Sequence, residues 1–145
     1  MESNLTVAEA AYVAGISDGE GCIGIVKKRQ AGYKPSYSAR LIVTNTYLPL
    51  LMWLKDTTGL GSIHPRKKRQ KAHHKCSYNW SLYSTDLKVL LPQVKQYLLC
   101  KTRQAKVVEE LMGLKHPGSV GFSEEALQIR ENLYQTIRTL NKKSK

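Results

Sequence analysis

In the stretch YVAGISDGEGCIGI, residues 12–25, Asp18 and Glu20 stand between Gly15, Gly19 and Gly21. Acids at the end of a helix oppose the partial negative charge of its C-terminus, at a cost of a few tenths to about one kcal/mol. Glycines beside them allow a sharp turn and a close approach. Carboxylates plus exposed main-chain carbonyls make an oxygen-only site. Such a site suits a hard cation such as Mg2+, which keeps most of its waters and takes one or two carboxylates. A glycine-capped helix with incidental surface acids would also spell DGEG, so the flanking elements have to decide.

The preceding segment, LTVAEAAYVAGISDG, opens with a capping box: Thr6 accepts from the backbone of Glu9, and Glu9 reaches back. A helix is expected to run to about Ser17 or Asp18, where glycines end it. Ala8, Ala11 and Gly15 form a stripe of very small residues at helical spacing. Such a stripe lets two helix backbones approach closely. Two copies packed there, with Tyr12 beside the stripe and Asp18 at the junction, bring their C-terminal acids together at a two-fold axis.

CIGIVKKRQ and SYSARLIVTNT read as two strands joined by a turn around Gly32 and Pro35. LPLLMWLKDTTG reads as a helix ended by Gly59, and LGSIHPRKKRQ with KCSYNWSLYS as a second strand pair across a basic loop. A helix capped by Thr85 or Asp86 and kinked or interrupted by Pro92 follows. Another ends near Gly113, and the last starts at the N-cap Ser123. Residues 1–141 are expected to form one α+β domain, with 142–145 a basic tail.

Charge is unevenly spread. The net charge is +12, and between Gly21 and Thr85 the only acid is Asp56, among twelve lysines and arginines. A long, nearly acid-free basic segment inside a fold points to a polyanion, most often nucleic acid. A merely solubilising surface would mix both signs. DNA on two basic sheets would cross the paired acids at its middle. Carboxylates, metal and phosphates meeting there is the arrangement of metal-assisted phosphodiester hydrolysis. An apolar fraction of 41% supports a folded core, and no apolar run approaches the roughly 18 residues of a membrane span. Cys22, Cys76 and Cys100 show no CxxC pairing, as expected of free thiols in a reducing compartment. His64, His73, His74 and Cys76 match no regular zinc spacing. MESNLTVAEA lacks the basic start and apolar run of a signal peptide, so an intracellular protein is expected, in an organelle (chloroplast or mitochondrion) or a prokaryotic cytoplasm.

Val13–Gly21 (VAGISDGEG) resembles the signature of the LAGLIDADG homing endonucleases, with Glu20 in place of its last acid. LKDTTGLGSI resembles that family's helix-to-third-strand junction, and YLLCKTRQAKVVEEL its segment where a lysine precedes a Gln-Ala helix. The resemblance covers most of residues 7–112. It implies an αββαββα core with a saddle-shaped antiparallel sheet, followed by extra C-terminal helices. The sheet would lie in the major groove of double-stranded DNA, over a long, nearly palindromic site. The motif occurs once, and single-motif members act as homodimers.

By that resemblance Glu20 is the metal ligand, helped by the carbonyl of Gly19. The cation is Mg2+, with others such as Mn2+ as substitutes. Asn45 falls where the family positions a water, and Lys101 where it places a lysine near the scissile phosphate. An arginine found in some relatives has no counterpart in TYLPLLMWL. For reading bases the residue types favour Lys28, Gln30, Tyr37, Arg40, Arg66, Lys68 and Arg69, since Arg and Lys suit guanine and Gln suits adenine. His64 and Lys71 join them on the basic loop. The nucleophile should be water. Two other readings stand beside this one. A non-catalytic binding module on the same fold, an intron RNA maturase or a transcription regulator, would not need Glu20, Asn45 and Lys101. A ribosomal RNA-binding protein would not need acids at a helix end. A chain of this length with a starting Met suggests an intron-encoded or independent gene.

Overall fold

The computed structural model describes residues 4–66, 76–118 and 121–142. The chain runs α1 (Val7–Glu20), β1 (Gly21–Lys28), β2 (Ser36–Asn45), α2 (Leu48–Thr58), β3 (Ser62–Pro65), β4 (Tyr78–Tyr83), α3 (Ser84–Val94), a 3-10 turn (Lys95–Tyr97), α4 (Thr102–Gly113) and α5 (Glu124–Asn141). This is the expected αββαββα order with two further helices. The four strands form one antiparallel sheet in the order β1-β2-β4-β3.

Strand alternation decides the two faces. Ile23 and Ile25 of β1, Ala39, Leu41 and Val43 of β2, and Trp80 and Leu82 of β4 are buried together. They pack with Val13 and Ala14 of α1, Leu51 and Leu54 of α2, Leu87, Leu90, Leu91 and Val94 of α3, Val108 of α4 and Ile137 of α5 in one core. The opposite face carries the alternate residues, among them Lys28, Arg40, Thr44 and Asn79. A sheet with one face in the core and one toward water is common in antiparallel architecture.

The local signals at the helix starts are realised. Thr6 Oγ1 accepts from Glu9 N (3.1 Å) and Glu9 Oε1 accepts from Thr6 N (2.9 Å), closing the capping box on α1. Ser123 Oγ accepts from Ala126 N at the start of α5. Gly59, at φ 70°, provides the left-handed cap of α2.

Two boundaries differ from expectation. Neither Thr85 nor Asp86 caps α3, which begins at Ser84 with Tyr83 as an N-cap lacking a side-chain bond. Two polar side chains of its first turn serve distant backbone: Asp86 Oδ2 accepts from Gly61 N (2.9 Å), and Ser84 Oγ accepts from Ala39 N (3.0 Å). Helix α1 also outruns its expected end. Gly19 is helical, and the last turn closes with Gly21 N–H donating to Ser17 O. The chain then enters β1 with no loop. A Cβ at Gly21 would lie 2.8 Å from Ser17 O and 3.3 Å from Leu41 Cδ1, so this turn has room only for glycine.

Candidate active site

The direct passage from α1 into β1 sets Glu20 on the final helical turn, at the rim of the sheet. The β1–β2 register pairs Gly21 with Val43. Extending it by two residues brings Asn45, the last residue of β2, level with the end of α1. There Asn45 Nδ2 donates to Glu20 Oε1 at 2.8 Å. Asn45 Oδ1 accepts the backbone N–H of Tyr47 at 2.8 Å, which settles which end of the amide faces the carboxylate. Glu20 is exposed and Asn45 half-buried.

Lys101 reaches the same turn from the other side. It is the N-cap residue of α4, and its Nζ donates to the main-chain oxygen of Asp18. That carbonyl belongs to the last turn of α1, where helix oxygens lack partners and the helix end favours a cation. The carboxylate of Asp18, expected at a dimer junction, is turned into its own chain. It accepts the N–H groups of Leu99, Cys100 and Lys101. The structure therefore gathers Glu20, Asn45 and Lys101 around one helix end.

The donor chemistry there is all oxygen: the exposed Glu20 carboxylate and the last carbonyls of α1, Gly19 included. Among the described residues no three His, Cys, Asp or Glu side chains cluster as a metal-holding group. A cation at this turn would complete its shell with water, phosphate or a second chain's carboxylate. One or two carboxylates with several waters fits Mg2+ and does not fit zinc.

The residues expected to read bases divide. Lys28 and Arg40 lie on the open sheet face. His64 is exposed on the same face, where its Nε2 pairs with Ser62 Oγ at 3.1 Å. Gln30 and Arg66 are exposed in connections at the strand ends. Lys68, Arg69 and Lys71 lie outside the described residues. Tyr37 departs from the expectation. It shares the parity of Ala39, Leu41 and Val43, so it points to the helix side. Its hydroxyl donates to Glu131 Oε1 of α5, and its ring meets Tyr134 edge-on at 6.0 Å. Lys27 Nζ joins the same carboxylate at 2.6 Å. Burial, then the bond to the Glu131 carboxylate, pushes the Tyr37 phenol up to about 12.

Four open-face residues escaped the sequence reading: Thr44, Asn79, Tyr83 and Ser62. Thr44 Oγ1 donates to Asn79 Oδ1 at 2.7 Å, leaving the Asn79 amide hydrogens for another acceptor. The two-residue alternation of SARLIVT and YNWSLY carried the signal, but only once the face of one residue is known.

Ala8, Ala11, Tyr12 and Gly15 are all exposed along α1. A Cβ added at Gly15 or Gly19 would meet nothing within 4 Å. Beside them, Ala8, Glu9, Tyr12, Tyr47, Pro49, Leu50 and Trp53 line an open, mainly apolar groove of about 620 Å³. Tyr12 meets Trp53 edge-on at 5.0 Å. Val7, Tyr12, Tyr47 and Met52 are large apolar side chains left exposed on α1 and at α2.

An αββαββα core with an acidic helix end at the rim of a half-open antiparallel sheet defines the class. The sequence profile of the LAGLIDADG endonuclease family matches residues 13–109, and the chain belongs to that family. The homing endonuclease I-CvuI, solved in complex with the I-CreI target in the presence of Mg, is similar in fold: TM-score 0.77, 23% identity, covering 95% of this chain and 85% of that one. So is I-Vdi141I, an archaeal intron-encoded homing endonuclease solved with DNA: TM-score 0.74, 17% identity, 95% and 87%. The group I intron-encoded I-CeuI, also solved with DNA, gives TM-score 0.59 and 19% identity over 77% and 57%. No curated protein matches the sequence. No helix among the described residues is long and apolar enough to cross a membrane.

Proposed function

We propose that this chain is a site-specific endonuclease that cuts both strands of a long, nearly palindromic DNA site as a homodimer, using a divalent cation, Mg2+ first. The observation that carries the reading is the meeting of Glu20, Asn45 and Lys101 at one helix end beside an open, basic sheet face.

Glu20 and the Gly19 carbonyl hold the cation, which when bound supplies positive charge where negative charge develops on the phosphate. The chain's own residues do the rest. Asn45 fixes the rotamer of the Glu20 carboxylate and keeps a polar group beside it to orient water. Lys101 offers a second positive charge to the departing oxygen, an interaction worth roughly a hundredfold in rate at comparable sites. Lys28, Arg40, His64 and the basic stretch of sequence that includes Lys68, Arg69 and Lys71 hold the DNA. The major groove admits a β-ribbon and offers a unique donor and acceptor pattern. Family membership and the DNA-bound similar structures support this reading.

Homodimerisation is supported by the exposed small-residue stripe of α1 and the apolar groove beside it. One chain offers one acidic helix end. Two chains packed through Ala8, Ala11 and Gly15 offer two, one for each strand. A non-catalytic binding protein of the same fold is favoured by one feature only: Tyr47–Leu54 contains no arginine.

The test is incubation with a large pool of random-sequence duplexes in Mg2+, followed by sequencing of cut ends. Staggered cuts centred on a near-palindrome, missing with Glu20→Gln, are expected. Selective capture without cutting would move the function to the non-catalytic reading.

A further inference from the structure

We propose that Asp18 is the positioning residue of this site, holding Lys101 in place from both ends. The inference rests on the endonuclease reading for what Lys101 does, and adds a role for the other acid of DGEG.

The two oxygens of Asp18 accept three consecutive backbone N–H groups. Leu99 N donates to Oδ2 at 2.7 Å, while Cys100 N and Lys101 N donate to Oδ1 at 3.2 and 3.1 Å. These amides stand just ahead of α4, whose N-cap residue, Lys101, supplies no side-chain acceptor of its own. The acceptor comes instead from α1, more than 80 residues earlier in the chain. The same residue then takes the far end of Lys101, whose Nζ donates to the Asp18 main-chain oxygen. Lys101 is thus tied to residue 18 at its amide and at its ammonium. A lysine stem otherwise samples many rotamers, and ordering it costs conformational entropy. Here that ordering is completed on folding, before any substrate arrives.

The spacing of the two acids follows from the same geometry. Successive helix residues turn by about 100°, so positions two apart point to nearly opposite sides. With Asp18 turned toward the α3–α4 connection, Glu20 is turned toward Asn45. Asp18-Gly19-Glu20 therefore splits one helix turn into an inward arm that sets the lysine and an outward arm that bears the exposed carboxylate.

A carboxylate that merely ties α1 to α4 would affect stability alone. A double-mutant cycle separates the two roles. Single-turnover cutting of a selected duplex is measured at saturating protein in Mg2+ for wild type, Asp18→Asn, Lys101→Met and the double variant. DNA affinity in Ca2+ and thermal unfolding are measured alongside. Asp18→Asn is expected to slow cutting at least tenfold, with DNA affinity within about threefold of wild type. The double variant should be no slower than Lys101→Met by more than about threefold, because both changes remove the same interaction. Multiplying losses, or an unchanged rate in Asp18→Asn, would overturn the proposal.

Should Asp18→Asn fail to fold, amide hydrogen exchange in the wild-type protein decides. Protection of Leu99 and Lys101 comparable to that of core helix amides is expected, and exchange at loop rates would overturn the assignment. A wild-type protein that cuts no duplex sinks the endonuclease reading, while the exchange measurement still judges the link between Asp18 and Lys101.

Discussion

The side-chain amide of Asn45 donates to the Glu20 carboxylate at 2.8 Å while its own oxygen accepts from Tyr47 N–H. The end of a strand thereby orients the end of a helix. Neither residue is buried enough for packing to fix it, so the hydrogen bonds do.

Asn45→Ala should leave the fold and DNA affinity intact and slow single-turnover cutting by about ten- to a hundredfold, the range of a lost orienting group. Asn45→Asp should be slower still. It keeps the shape, loses the donor and sets a second negative charge against Glu20. Equal rates for Asn45→Ala and wild type would show that Asn45 does not orient the Glu20 carboxylate for cutting.

Gly15 and Gly21 should respond oppositely. Open space surrounds a Cβ at Gly15, whereas at Gly21 it strikes Ser17 O. Gly15→Arg should keep the helical circular dichroism signal yet sediment as a monomer and lose cutting. Gly21→Ala should lower stability by about 1–3 kcal/mol through forced displacement of packed backbone, and so lower Tm. A dimeric Gly15→Arg protein would show that α1 is not the pairing surface.

The contact of α5 with the sheet should depend on pH at both extremes. The side-chain amide of Gln135, then Lys27, then the Tyr37 hydroxyl hold the Glu131 carboxyl down at about 2, below its ordinary 4.5. A lowered folded pKa gives a contribution present above about 4.5 and lost as pH falls toward 2. Tyr37, raised from 10.0 to about 12, contributes below 10 and loses that contribution as pH rises toward 12. Urea titrations from pH 7 to 2.5 should show the stability gap between wild type and Glu131→Gln closing as pH falls. A gap that stays constant would show that the carboxylate is not what docks α5.

Much of this fold was legible because its signals are local. The capping box at Thr6 and Glu9, the N-cap at Ser123 and the glycine after α2 each act within four residues of themselves. What escaped depends on distance or on facing. Asp86 looks like a helix cap in sequence, but the N–H it serves belongs to Gly61. Tyr37 looks like a wet-face aromatic, yet strand parity commits it to the helix side, where Glu131 waits 94 residues on. The partners of Asp18 lie more than 80 residues away, and no spacing in the motif announces them. Asn45 and Lys101 came to notice through family resemblance. Their residue types alone would have passed for a turn asparagine and a solvated lysine.

In the proposed homodimer each DNA strand is served by one Glu20. The most direct measurement mixes wild-type chains with differently tagged Glu20→Gln chains, purifies the mixed dimer and incubates it with a supercoiled plasmid carrying the selected site in Mg2+. Linear product is expected from wild type, uncut plasmid from Glu20→Gln, and nicked circles from the mixed dimer. Linear product from the mixed dimer at the wild-type rate, or cutting by Glu20→Gln itself, would contradict it.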